Sequence, residues 1–74
     1  MDLMLIAYFM YMDGNSFLKQ KGIDLVTGDT NLNELKKTDS VKEFIKTIET
    51  KHRTKELEYD HIHYIDFCYE YSFK

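Results

Sequence analysis

The chain reads as a small α+β domain of ββαβ order: a three-stranded sheet, strands ordered 2-1-3, with one helix packed on one face. Three observations predict it. The opening LMLIAYFMYM is bulky and apolar and ends at a turn-forming DGNS. The segment from Val41 to Lys51 has helical spacing. The closing stretch from Tyr59 to Phe73 alternates aromatic and polar residues with a period of two.

The first strand is expected over Leu3–Met12. Its odd face (Leu3, Leu5, Ala7, Phe9, Tyr11) and its even face (Met4, Ile6, Tyr8, Met10, Met12) are both apolar, so it belongs in the middle of the sheet, covered twice. Asp13–Ser16 is read as a hairpin turn, because aspartate and glycine tolerate positive φ. Phe17–Thr27 returns as the partner strand, with Gly22 in its interior marking a bulge. Gly28–Ser40 is a connection that includes a short helical turn at NLNEL, where Asn31 and Glu34 have capping-box spacing.

The helix follows, with Ser40 and Glu43 in a second capping-box pattern and Val41, Phe44, Ile45 and Ile48 on one stripe. Lys51, His52 and Arg53 suit the negative end of its dipole. In the last strand, Tyr59, His61, His63, Ile65, Phe67, Tyr69, Tyr71 and Phe73 share one face. Asp60, Ile62, Tyr64, Asp66, Cys68, Glu70 and Ser72 share the other. A right-handed helical crossover sets this strand on the free side of the first.

One helix covers one face of such a sheet, and the other is left as an exposed apolar patch. A homodimer is the expected cover, since a two-fold operator makes a repeated patch self-complementary. A protein partner is the other candidate. The uncovered face carries either the Met4, Met10, Met12 set or the Phe9, Tyr11 set with aromatics of the last strand; methionine and tyrosine suit such surfaces, so Tyr8, Met10, Tyr11, Met12, Tyr69 and Tyr71 are the candidate binding residues.

Composition limits the functions available. All 74 residues belong to one domain, with 43% hydrophobic and 31% charged residues, the balance of an ordered globular protein. The net charge of -3 argues against a general polyanion binder. The single cysteine, Cys68, forms no internal disulfide, and a reducing cytoplasm is the expected compartment. The apolar opening lacks a basic leader and is too short for a membrane span, so no membrane partner is expected.

Charge is distributed unevenly. Residues 36–55 hold seven basic and three acidic side chains, whereas 56–74 hold five acidic and one basic. The basic helix, with Lys42 and Lys46, and the histidines His61 and His63 on one side of the last strand offer a way to hold an anionic nucleotide across a dimer interface. Direct nucleic-acid binding is a third, less favoured reading. The acidic Glu56, Glu58, Asp60, Asp66 and Glu70 offer instead a surface for a basic protein.

Catalytic and cofactor chemistry find little footing. No CxxC or HxxxH accompanies HIH, so no metal or other cofactor is expected. Cys68 has Asp66 and Glu70 as its same-face neighbours, which oppose a thiolate. No second HIH exists for a paired His-x-Thr phosphoesterase, and the three glycines form no phosphate-cradling run. The expectation is a non-enzymatic binding protein.

The opening LIAYFMYMDG, the second segment ending in IDLVTGD, the SVKEFIKTIE helix and the aromatic last segment resemble small uncharacterised proteins of phages and prophages of low-GC Gram-positive bacteria. The resemblance implies a host-takeover or anti-defence factor that binds and inhibits a host protein, or sequesters a nucleotide signal, in the host cytoplasm. It assigns no functional residue.

Overall fold

The computed structural model describes residues 3–72, and every regular element in that span is helical. The helices are α1 (Leu3–Met12), α2 (Ser16–Thr27), α3 (Leu32–Leu35), α4 (Asp39–Arg53) and α5 (His61–Ser72). The predicted α+β class is therefore corrected: no strand, and no 2-1-3 sheet, exists among the described residues. Phe73, which the alternation placed at the end of the third strand, lies outside them.

α1 is central, as its apolar character on all sides requires, but as a helix. Leu, Met and Ala are strong helix formers, and a helix apolar all round is a buried helix. Leu5, Ile6, Ala7, Tyr8 and Met10 are buried, enclosed by α2, α4 and α5 within one chain. The uncovered sheet face on which the expected dimer rested is absent.

The DGNS turn joins two helices. Gly14 takes φ 89°, reversing the chain, and the Asn15 side chain caps α2 by accepting from the backbone N–H groups of Phe17 (2.9 Å) and Leu18 (3.2 Å). Leu18, Gly22, Leu25 and Val26 then line the inner face of α2 at i, i+4, i+7 and i+8. α2 stops at Gly28, φ 89°, where the Asp29 N–H reaches back to the Asp24 carbonyl at 2.9 Å.

Gly22 is no bulge. It marks the crossing of α1 and α2, and a Cβ there would sit 2.6 Å from the Ala7 carbonyl oxygen and 3.0 Å from the Tyr11 backbone nitrogen. Only a residue without a side chain lets the two backbones approach so closely.

α3 is the anticipated short turn, with the Asn31 side chain accepting from the Glu34 N–H at 3.0 Å. α4 follows the predicted stripe: Val41, Ile45 and Ile48 are buried, and Phe44 sits half-buried at the stripe's edge. Its N-cap is Thr38 rather than Ser40, so the expected Ser40–Glu43 box is not the start of the helix. At the other end, the Glu56 N–H bonds to the Lys51 carbonyl (2.9 Å) and that of Lys55 to His52 (3.2 Å). This pairing closes a Schellman turn with Lys55 in the left-handed region, φ 62°.

The core joins Ile6, Ala7, Tyr8 and Met10 of α1 to Leu25, Leu35, Val41, Ile45 and Phe67 from the other four helices.

Candidate functional site

α5 carries the surface of most interest, and its local chemistry explains why period two gave way to a helical repeat. Asp60 stands at its N-cap. One carboxylate oxygen accepts from the backbone N–H groups of Ile62 (2.9 Å) and His63 (3.2 Å), and the Asp60 carbonyl accepts from the Tyr64 N–H at 3.0 Å. Those two N–H bonds, then the charges of His63 and His61, hold the Asp60 carboxyl below the usual aspartate range.

From that cap onward, Tyr64, Phe67 and Tyr71 fall at i, i+3 and i+7 and face the domain. Tyr64 and Phe67 meet the Tyr8 ring with centroids 5.4 and 5.8 Å away. Phe67 and Tyr71 meet Tyr11 at 5.0 and 5.5 Å. These are the offset and edge-on distances at which aromatic pairs attract. Burial raises the Tyr8 phenol, with a smaller push from the Asp60 charge. Tyr71 is pushed up to about 12, chiefly by its hydrogen bond with Tyr11, then by loss of solvent and the Tyr11 and Glu70 charges.

The opposite face of α5 is also apolar. Ile62, Ile65 and Tyr69, again at i, i+3 and i+7, are 70%, 51% and 67% exposed. Asp66 and Glu70 run along one edge of this stripe, since they lie one turn beyond Ile62 and Asp66 respectively. Glu58 and Asp60 lead into it, and all four acids are exposed. A helix with two apolar faces has one more than its own domain buries.

The residues expected to bind are distributed as follows. Tyr8, Tyr11 and Met12 of α1 meet His63 of α5 along a shallow groove that Asp66, Phe67 and Glu70 complete. Met10 is fully buried and belongs to the core. Tyr69 is on the outer stripe, while Tyr71 packs against Tyr11, so the common face given to them by strand alternation is lost. His61 and His63, two residues apart on a helix, project from roughly opposite sides.

Lys42 and Lys46 are exposed on α4. Lys46 lines a depression with Glu43, Thr50, Lys51 and Glu56 that is separate from the groove holding His63. The lysines and histidines proposed to enclose a nucleotide thus share no cavity within one chain. Among the described residues, no three His, Cys, Asp or Glu side chains gather as metal ligands, and no helix is long and apolar enough to cross a membrane.

A second groove of about 460 Å³ lies between α1, α4 and the segment before α5, walled by Tyr8, Phe9, Phe44, Ile48 and Tyr59 with Asp13, Lys51 and Glu58 at its rim. Ile62 and Ile65 were missed as surface residues because alternation set them on opposite faces and Ile65 among the buried aromatics. Their signal was the 62/65/69 spacing, which fits a helix as well as 64/67/71 does. Compared with protein-family models, curated proteins and solved structures, the chain matches none.

Proposed function

We propose that the chain is a small non-enzymatic binding protein that inhibits a host protein by docking the outer face of α5 onto it. The observation that carries this reading is the exposure of Ile62, Ile65 and Tyr69 along one side of a helix whose other side is already packed. Three large apolar anchors at i, i+3 and i+7 are the pattern by which a helix fills a partner's groove. Apolar residues scattered singly on a surface need no explanation, but aligned ones mark contact sites. The surface has moved from the sheet face expected from sequence to a helix face, while protein binding as the mode of action is retained. The single cysteine keeps a reducing cytoplasm as the proposed compartment.

The test places a photoreactive amino acid at Ile65 and, as a control, at Lys42, in lysate of the organism carrying the gene. The activity of any protein captured only from Ile65 is then measured with wild-type chain and with an Ile62→Ser, Ile65→Asp variant. Inhibition by wild type, lost in a variant whose circular dichroism and melting are unchanged, is the expected result. A variant that inhibits as well as wild type overturns the reading.

A further inference from the structure

We infer that the occupant of the α5 face is a protein bearing an apolar groove with a Lys- or Arg-rich rim, and that it is neither a second copy of this chain nor a membrane. The inference rests on the docking reading above and deepens it. Its basis is charge. From Glu56 to Ser72 the chain carries five acidic residues, Glu56, Glu58, Asp60, Asp66 and Glu70, and no lysine or arginine. All five are exposed, and none is ion-paired, because the one ion pair among the described residues joins Lys37 to Glu34.

Seven of the chain's ten lysines and arginines stand between 36 and 55, on α4 and its flanks, and Lys19 and Lys21 stand on α2. α5 itself carries Asp66 and Glu70 beside Ile62, Ile65 and Tyr69 and no lysine or arginine, so the charge along that stripe is acidic. A two-fold interface uses one patch twice, so self-association through this face would bring two such acidic segments together. Like charges brought together across an interface suppress that pairing, whereas opposite charges steer and orient it. A membrane surface, negative on its cytoplasmic side, is repelled in the same way. A groove rimmed by lysine or arginine satisfies both halves of the surface: its floor takes the isoleucines and Tyr69, and its rim meets Asp66 and Glu70.

The probes are two designed amphipathic helical peptides with the same leucine stripe, one flanked by lysine and arginine and the other by glutamate. Each is titrated into the isotopically labelled chain while backbone amide shifts are followed. The basic peptide is expected to shift the amides of Ile62, Ile65 and Tyr69, and to bind roughly fivefold more weakly to an Asp66→Asn, Glu70→Gln variant, the change that losing two exposed charge contacts implies. Raising the salt from about 50 mM to about 500 mM should weaken it similarly. Equal shifts from both peptides would overturn the basic-rim inference and leave α5 as a docking helix. Concentration-dependent broadening confined to α5 in the chain alone would make a second copy the occupant and overturn it too. If neither peptide perturbs α5, the docking reading falls with it.

Discussion

Gly22→Ala probes the close approach of α1 and α2, and two opposed effects make its sign informative. In an isolated helix, alanine replacing glycine in mid-helix gains about 1 kcal/mol. In this structure the new Cβ would lie 2.6 Å from the Ala7 carbonyl oxygen, 3.0 Å from the Tyr11 nitrogen and 3.1 Å from the Met10 Cβ, where ordinary contact begins at 3.4 Å. The first two obstacles are backbone atoms of α1, which no rotamer change can move aside. α1 and α2 must separate by about 0.8 Å at the crossing, the difference between 3.4 and 2.6 Å. A gap of that size forfeits roughly a quarter to a half of each dispersion contact across the interface. Overpacking of this kind costs about 1 to 3 kcal/mol, and a rigid obstacle puts the cost near the upper end. After the propensity gain, a net loss of about 2 kcal/mol is expected. For a domain of this size that lowers the melting temperature by roughly 8 to 16 °C. Urea denaturation followed by far-ultraviolet circular dichroism measures it. A variant as stable as wild type, or more stable, would show that propensity governs the site and that the two helices do not cross at Gly22.

The remaining expectations concern α5, the end of α4 and the tyrosine pair. Phe67 and Ile65 share a face in a strand and oppose each other in a helix, so Phe67→Ala should cost about 3 to 5 kcal/mol while Ile65→Ala, at an exposed position, costs about 1 kcal/mol or less. Equal losses in denaturation would refute the helical assignment of α5. Lys55→Gly relieves a left-handed φ of 62° at the close of α4. The strain removed, about 1 to 2 kcal/mol, exceeds the entropy that glycine adds to the unfolded chain, about 0.5 to 1 kcal/mol, so a rise of a few degrees in melting temperature is expected and a fall would contradict the Schellman geometry. Tyr71, held near 12 in the fold, against about 10 for a free tyrosine, favours the protonated form. Its contribution is complete below the unfolded value and is lost as pH rises through the folded one, so stability should decline from about pH 10 towards 12. Ultraviolet titration of wild type beside Tyr71→Phe checks this; an ordinary tyrosine titration for every phenol would refute it.

What the sequence determined by itself was the segmentation and one helix in detail. Asp13–Asn15 and Gly28 are turns whichever elements they join, because left-handed glycine ends a helix as readily as it reverses a hairpin. The α4 stripe was legible because Val41, Ile45 and Ile48 sit among charges, and only one period fits such contrast. The central place of α1 was legible too, since residues apolar on every side are enclosed in either geometry. Element type elsewhere was decided by tertiary structure. An apolar run of ten residues carries no contrast from which to read a period, and the α5 aromatics satisfy period two and period 3.6 together. The Asp60 cap and the rings of Tyr8 and Tyr11 select the helix for α5, because the cap satisfies two backbone donors and the rings bury Phe67 and half-bury Tyr64 and Tyr71 in one stroke. Which apolar face of α5 turns outward follows from that docking alone. A single chain pattern specifies two stripes, and only the neighbours present in three dimensions determine which of them is left to meet a partner.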